Sequence, residues 1–205
     1  MFQFIKPHLV CQNINSINFA FLKNSLGIKY LIFDKDDTIT AHHVEELHKD
    51  IDTSRLRELV HLYKNNIFIV SNSRRKWKID YSNELNDIIE KHEAFRSIVT
   101  KYKKPFNFSD VIQEIGKLRN VQDIKGNEIC IIGDRILTDM ALAHKNGCFG
   151  IYVNHFEDSV RSWDIDMLKM IEEAFIFKPR FGRSVVKNSF NGVRFGFEEV
   201  FQDIN

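Results

Sequence analysis

The sequence predicts an α/β fold built on a doubly wound, Rossmann-like parallel sheet with helices on both faces. Three features predict it: short runs that are apolar throughout, polar residues directly after each run, and helical periodicity between the runs. Runs without alternation of apolar and polar residues are typical of central strands in a parallel sheet, because helices bury both faces of such a sheet. Ligands bind at the carboxyl ends of these strands, so the polar residues after the runs are the first candidates for a site.

The four predicted strands cover residues 28–33, 67–70, 129–132 and 148–153. Each is short, β-rich and bounded by polar or turn-forming residues. The first two strands are followed directly by Asp34 and Ser71, and the third by Gly133 and Asp134. We expect Asp34, Ser71 and Asp134 to meet at one edge of the sheet.

Helical spacing of apolar residues predicts four helices, over residues 53–64, 81–93, 109–119 and 138–146. The first has Asp52, Thr53 or Ser54 as its N-cap, and the last ends with Gly147 in the position that follows the C-cap. Strands and helices therefore alternate along the chain, as they do where right-handed crossovers connect the strands of a doubly wound sheet.

At 205 residues, 43% of them hydrophobic, the chain can bury the core of one domain without disulfides or a structural metal. Its three cysteines match no zinc-ligand spacing, so we expect reduced, buried thiols and an intracellular compartment. A net charge of +1 gives no general attraction to nucleic acid, and no such partner is expected. No apolar run approaches the ~20 residues that cross a bilayer, so no membrane span is expected.

The chain divides into a catalytic domain over residues 28–176, an N-terminal extension over 1–27 and a Phe-rich, basic C-terminal extension over 177–205. Before Asp34 there are three lysines and no acidic residue, a bias expected of a targeting or membrane-facing leader. The C-terminal extension has three alternative roles: to cover the protein's own core, to form an oligomer contact, or to lie on a membrane. The first is favoured, because apolar residues at helical spacing more often belong to a core.

Asp34 and Asp36 come directly after the first strand, in the stretch Asp-Lys-Asp-Asp-Thr. Two carboxylates at this spacing in a loop can reach one phosphorus atom if the backbone curls between them. The first would attack phosphorus, and the second would protonate the departing oxygen and later deprotonate the hydrolytic water. A D-x-D pattern alone is more often a solvated loop, so this assignment depends on the residues at the other strand ends.

Those residues supply the remaining chemistry of phosphoryl transfer. Ser71 offers a hydroxyl donor, and Lys104 offers a positive charge for the transition state. Asp134 and Asp139 offer hard oxygen ligands of the kind Mg²⁺ prefers. The alternatives are that Ser71 caps a turn, Lys104 is solvated and Asp139 caps a helix. Mg²⁺ is expected, because an anionic nucleophile must approach an anionic phosphate.

The motifs DKDDT, SNS, KKP and GDRxxTD, in this order, resemble the four signature motifs of the haloacid dehalogenase superfamily. The resemblance implies a phosphatase with an aspartyl-phosphate intermediate at Asp34. It also implies that Mg²⁺ is held by the Asp34 side chain, the Asp36 backbone carbonyl and Asp134, with Asp139 assisting directly or through water. Members usually carry a cap domain after the first motif or between the second and third, but here each gap holds only one helix and one strand. No cap domain is expected, and an uncapped site suits a phosphate on a macromolecule or at a membrane.

From about residue 4 to residue 153 the chain resembles the mitochondrial phosphatidylglycerophosphate phosphatase family, through DKD, SNS, the doubled lysine before proline and GDRILTDM. The resemblance implies a phosphoric monoester hydrolase that converts phosphatidylglycerophosphate into phosphatidylglycerol, the precursor of cardiolipin. The expected location is peripheral, at the matrix face of the mitochondrial inner membrane, with the cytoplasm as alternative. Asp37 departs from the family, which commonly has Asn there.

Polar, basic and aromatic residues near the second, third and fourth motifs are expected to contact an anionic phospholipid substrate or the membrane: Asn72, Arg74, Arg75, Lys76, Trp77, Lys103 and Arg135. Each basic residue near an anionic membrane contributes roughly 1 kcal/mol of attraction, and tryptophan is enriched at the headgroup level. The alternative is an ordinary solvated basic loop.

Two other functions stay open at this point. One is a capless phosphatase for a phosphoprotein or a small soluble phosphate ester. The other is a non-catalytic binding module, against which the clustered carboxylates argue, because their mutual repulsion is a cost that a scaffold has no reason to bear. A homo-oligomer is also an open alternative.

Overall fold

The computed structural model describes residues 5–72, 79, 83–154, 156, 163, 167, 168, 170, 184, 185 and 189–201. Seven strands form its central sheet: β1 (Leu9–Cys11), β2 (Tyr30–Phe33), β3 (Ile67–Ile69), β4 (Arg96–Ser97), β5 (Ile129–Gly133), β6 (Phe149–Val153) and β7 (Ser184–Val185). They lie in the order β4-β3-β2-β5-β6-β1-β7, and all neighbours are parallel except β1 and β7. The predicted doubly wound α/β architecture is confirmed.

In the described part of the chain, five helices lie between strands of the sheet: α1 (Phe19–Asn24), α2 (Thr53–Tyr63), α3 (Asn83–His92), α4 (Phe108–Arg119) and α5 (Ala141–Lys145). A short helix, α6 (Phe197–Val200), follows the last strand that the structure describes. Asp52 caps α2, because its side chain accepts a hydrogen bond of 2.8 Å from the backbone N–H of Ser54. The helix predicted from residue 138 begins earlier, as a π-helical turn over Ile136–Met140 that continues into α5. The other three predicted helices are confirmed.

Both faces of the sheet are buried, which explains the uninterrupted apolar runs. In β2, Leu31 and Phe33 pack on the face that α1 and α2 cover, whereas Tyr30 and Ile32 pack on the opposite face with α4. Each fully buried large apolar side chain contributes about 1.5–3 kcal/mol to stability. All three cysteines are buried without a disulfide, as predicted, and burial raises the pKa of the Cys148 thiol to about 12.

The strand order reverses between β2 and β5. The chain proceeds from β2 outward to β3 and β4, and then returns to the other side of β2 as β5. Phe33 lies opposite Ile132 in the register, and the N–H of Asp34 donates a hydrogen bond of 2.8 Å to the carbonyl of Ile132. The residues that follow β2 and β5 therefore lie side by side at the point where doubly wound sheets bind ligands.

The described residues contain no cap domain. Between β2 and β3 there is one regular helix, α2, and the described residues between β3 and β4 form one helix, α3. Within the same residues, no helix is long and apolar enough to cross a bilayer.

Parts of both predicted extensions belong to the folded body. Leu9–Cys11, within residues 1–27, form β1 of the central sheet and pair with β6. In the C-terminal segment, β8 (Ser189–Phe190) and β9 (Val193–Arg194) form a hairpin. Phe195, Val200 and Phe201 are buried in the main core. These three residues therefore help to cover the protein's own core, one of the three roles considered for this segment.

Candidate active site

Three carboxylates converge at the carboxyl edge of the sheet, those of Asp34, Asp134 and Asp139. One oxygen from each lies within 4.8 Å of the other two. Asp134 and Asp139 are buried, and the Asp34 side chain is 11% exposed. Asp34 follows β2 and Asp134 follows β5, so adjacent strand ends bring them together, as the sequence predicts.

The Lys104 ammonium contacts two of these three carboxylates. Its ammonium donates hydrogen bonds to Oδ1 of Asp34 at 2.7 Å and to Oδ1 of Asp139 at 2.5 Å, and its side chain is only 2% exposed. The backbone N–H of Lys104 donates a hydrogen bond of 2.8 Å to Oδ1 of Asn72. Asn72 therefore ties the stretch after β3 to the lysine, a positioning role that the sequence did not predict.

Burial and charge act in opposite directions on these groups. Burial is the main cause that raises the pKa of Asp34 to about 7; Lys104 lowers this pKa, while Asp139 and Asp134 add to the increase. Burial by itself lowers the pKa of Lys104, but Asp139 and Asp34 outweigh it, so this pKa lies above its ordinary value. Lys104 is therefore charged at neutral pH, whereas Asp34 titrates near pH 7 when no metal is bound.

The three-carboxylate cluster fits the cation that the sequence predicts. All of its donors are carboxylate oxygens, the ligand type that Mg²⁺ prefers. The Lys104 ammonium supplies one positive charge to this cluster of three carboxylates, and it contacts two of them. The three carboxylates carry more negative charge than this ammonium offsets when all are ionised, and a divalent cation would offset the excess.

The position of Asp139 depends on local backbone and on a glycine. Its Oδ2 accepts hydrogen bonds of 3.3 Å from the N–H of Arg135 and from the hydroxyl of Thr138, in the π-helical turn. A Cβ added at Gly133 would lie 2.4 Å from Cγ of Asp139. Residue 133 must therefore be glycine for the carboxylate to lie against β5.

Asp36 belongs to a different cluster from the three carboxylates. Its Oδ1 accepts hydrogen bonds of 3.1 Å from the ammonium of Lys35 and of 3.1 Å from the backbone N–H of His43. Its carboxylate lies close to the side chains of His42 and His43, because one ligand atom from each of the three residues is within 4.8 Å of the other two. Its predicted acid/base role stays a prediction.

Lys35, His42 and His43 were missed by the sequence reasoning. Lys35 is fully buried and also donates to the hydroxyl of Thr40 at 3.1 Å and to the carbonyl of Val44. Two features of the sequence could have indicated these residues: Lys35 stands between two acidic residues, and two adjacent histidines follow in the same loop.

The backbone conformation at residue 37 explains why Asp can stand where the family commonly has Asn. Asp37 has a φ of 59°, in the left-handed region that Asp and Asn adopt more readily than other residues with a side chain. Asp and Asn can therefore both adopt the backbone conformation that this position requires. The carboxylate of Asp37 lies 3.9 Å from Nδ1 of His42.

The remaining predicted residues are placed as follows. Ser71 is buried beyond the end of β3, at the same edge of the sheet, and Lys103 is exposed next to Lys104. Arg135 supports Asp139 through its backbone. Arg74, Arg75, Lys76 and Trp77 lie outside the described residues.

Carboxylates and a buried lysine at the reversal point of a doubly wound sheet form the kind of site that the resemblance to haloacid dehalogenase phosphatases predicts. The sequence model of the mitochondrial PGP phosphatase family matches residues 2–156, well over half of the chain. The chain belongs to that family.

Three curated relatives support the assignment of the chain to this family. A phosphatidylglycerophosphate phosphatase 1, chloroplastic/mitochondrial, from Arabidopsis thaliana is 21% identical over 85% of this chain and 48% of its own length. A probable mitochondrial phosphatidylglycerophosphatase from Schizosaccharomyces pombe is 26% identical over 62% of this chain and 60% of its own. The mitochondrial phosphatidylglycerophosphatase GEP4 from Saccharomyces cerevisiae is 21% identical over 72% of this chain and 77% of its own. The chain thus spans about half the length of the plant relative and 60% of the fission yeast relative.

Proposed function

We propose that the chain removes the terminal phosphate of phosphatidylglycerophosphate, giving phosphatidylglycerol and inorganic phosphate. The observation that carries the proposal is the buried Lys104 ammonium, which holds Asp34 and Asp139 together in a chain that belongs to this family. A lysine buried between two carboxylates at a sheet edge supplies the positive charge that an anionic nucleophile needs beside a phosphate.

In the first step, a carboxylate oxygen of Asp34 attacks phosphorus, and the bond from phosphorus to the glycerol oxygen of the lipid breaks. The carboxyl of Asp36 gives its proton to that departing oxygen. Lys104 and the hydroxyl of Ser71 donate to the phosphoryl oxygens, where negative charge spreads in the transition state. Phosphatidylglycerol leaves, and the phosphoryl group stays on Asp34 as an acyl phosphate.

In the second step, water attacks the same phosphorus while the carboxylate of Asp36 takes a proton from it. The bond from phosphorus to the Asp34 oxygen breaks, which releases inorganic phosphate and restores both aspartates. Bound Mg²⁺ would offset the repulsion between carboxylate and phosphate. Asp34, Asp134 and Asp139 would hold it through their side chains, together with the backbone carbonyl of Asp36.

A lipid substrate requires contact with a membrane, and the loop over residues 99–106 is suited to it. Tyr102 is 52% exposed and Phe106 is 69% exposed. The ammonium groups of Lys101 and Lys145 lie 5.2 Å and 5.0 Å from the centres of these two rings. Exposed aromatics among lysines match the headgroup layer of an anionic bilayer, which attracts each lysine by about 1 kcal/mol.

The same loop carries the catalytic lysine, so contact with lipid would occur next to the site. Lys103 is exposed and Lys104, the next residue, reaches Asp34. We propose that the 99–106 loop rests on an anionic bilayer, at the matrix face of the mitochondrial inner membrane. The names of the two yeast relatives, which carry the word mitochondrial, support this location.

The test compares a lipid with a soluble substrate. Purified chain should release phosphate from phosphatidylglycerophosphate in mixed micelles when Mg²⁺ is present, and Asp34→Asn should abolish this release. Beryllofluoride should bind the wild-type protein and not the Asp34→Asn variant. If the wild-type protein leaves the lipid intact and hydrolyses p-nitrophenyl phosphate efficiently, the lipid assignment is wrong, and a soluble ester or a phosphoprotein becomes the better candidate.

A further inference from the structure

We propose a second metal site, for zinc, on the loop that follows β2. Its ligands are the side chains of Asp36, His42 and His43, each of which offers one ligand atom within 4.8 Å of the other two. This cluster shares no side chain with the three-carboxylate cluster of Asp34, Asp134 and Asp139. Asp36 and His42 are half-buried and His43 is exposed, so an ion from solvent can reach the site.

The backbone of the loop brings two consecutive histidines to the same carboxylate. In an extended chain, successive side chains point to opposite sides. His43 has a φ of 60°, in the left-handed region, and this breaks the alternation. The two imidazole rings consequently lie 4.0 Å apart between centroids, while the N–H of His43 also donates to Asp36.

The donor set separates this site chemically from the magnesium site. Two imidazole nitrogens and one carboxylate oxygen suit Zn²⁺, whereas a set of oxygens alone suits Mg²⁺. Both hydrogen bonds that Asp36 accepts end on Oδ1, so we expect the ion on Oδ2. Ligands of a tetrahedral Zn²⁺ lie about 3.3 Å from one another, so the side chains must close by up to about 1.5 Å around the ion. The exposed ring of His43 can make this movement without disturbing the core.

Zinc at this site has a consequence that rests on the proposed function. It would bind the carboxylate of Asp36, which then could neither protonate the departing oxygen nor take a proton from water. We therefore expect Zn²⁺ to inhibit the phosphatase even when Mg²⁺ is saturating. The binding itself does not depend on the proposed function.

Calorimetric titration of the full chain with Zn²⁺, in an excess of Mg²⁺, tests the binding. The wild-type protein should bind one Zn²⁺ at this site, and His42→Gln and His43→Gln should each weaken that binding by at least about tenfold. His61→Gln is the matched control, because His61 is also exposed and also lies beside a histidine, with its ring 5.9 Å from that of His92. It should bind Zn²⁺ as the wild type does. X-ray absorption of the zinc-loaded protein should show two imidazole ligands.

The site is overturned if the wild-type protein shows no saturable Zn²⁺ binding, or if His42→Gln and His43→Gln bind Zn²⁺ as tightly as the wild type. Inhibition is measured separately, as the fraction of each protein's own zinc-free activity that survives added Zn²⁺. Wild type should lose activity at zinc concentrations that His43→Gln tolerates. Equal inhibition of both would overturn the inhibitory role. If no preparation is active, the proposed function fails, and calorimetry still decides the zinc site.

Discussion

The ammonium of Lys104 donates a hydrogen bond of 2.7 Å to Oδ1 of Asp34, across a separation of 70 residues in the chain. The same ammonium bonds to Asp139, which follows β5. Elements that are distant in sequence are therefore tied together through one buried charge. Because each partner is buried, removal of one leaves the others without compensation.

Lys104→Met tests this dependence directly. Without Mg²⁺, the variant should lose about 3–5 kcal/mol of unfolding free energy, because two buried carboxylates lose their cation. Urea denaturation measures it. Phosphate release in the presence of Mg²⁺ should fall by a factor on the order of 10³, since a donor to the transition state is gone.

Lys103→Met is the control for that variant. The side chain of Lys103 is exposed, so its loss should change the free energy of unfolding by less than about 0.5 kcal/mol. If Lys104→Met is no less stable than Lys103→Met, the buried ion pair does not support the fold as described.

Gly133→Ala should disturb the three-carboxylate cluster, the proposed Mg²⁺ site, through steric contact alone. The added Cβ would lie 2.4 Å from Cγ of Asp139, so the Asp139 carboxylate must move from its position against β5. We expect a loss of about 1–3 kcal/mol of stability and weaker binding of Mg²⁺, measured by calorimetric titration. Gly150→Ala is the control: its Cβ would lie 3.2 Å from the Ala143 side chain and 3.3 Å from Met140, away from any carboxylate. Mg²⁺ affinity that falls equally in both variants would contradict the special position of Asp139.

The central strands and the residues that follow them were predictable, because a strand that is buried on both faces appears in the sequence as an uninterrupted apolar run. Strand β1 was not, since three apolar residues near the start of the chain give no periodicity to measure. The three-carboxylate cluster was predictable because the carboxyl ends of adjacent parallel strands must meet. The grouping of Asp36 with His42 and His43 was not, because it depends on left-handed backbone at His43, which a sequence pattern does not encode.

The effect of Mg²⁺ on stability should depend on pH through Asp34. Its pKa is 3.8 as an ordinary carboxyl and about 7 in the folded, metal-free protein. Between these values the folded state binds more protons than the unfolded state, so the stability of the metal-free protein falls as the pH rises from about 4 to about 7. Mg²⁺ requires the ionised carboxylate, so its affinity should fall by about tenfold for each pH unit below 7.

Thermal unfolding with and without Mg²⁺ measures this dependence. The gain in Tm from Mg²⁺ should be larger at pH 8 than at pH 6 in the wild-type protein. In Asp34→Asn the group that titrates is absent, so the difference between the two pH values should shrink. An equal gain from Mg²⁺ at both pH values in the wild type would show that Asp34 does not titrate in this range.

The 99–106 loop should decide how well the protein acts on lipid at a surface. Tyr102→Ser with Phe106→Ser removes two aromatic rings that are 52% and 69% exposed, so little folding energy should be lost. Flotation with anionic vesicles should show weaker binding, and phosphate release should fall more on vesicle-borne phosphatidylglycerophosphate than on p-nitrophenyl phosphate. Val121→Ser is the control, because Val121 is an exposed apolar residue that follows α4 at the opposite end of the sheet. If the double variant floats with vesicles as the wild type does, the loop is not the membrane contact.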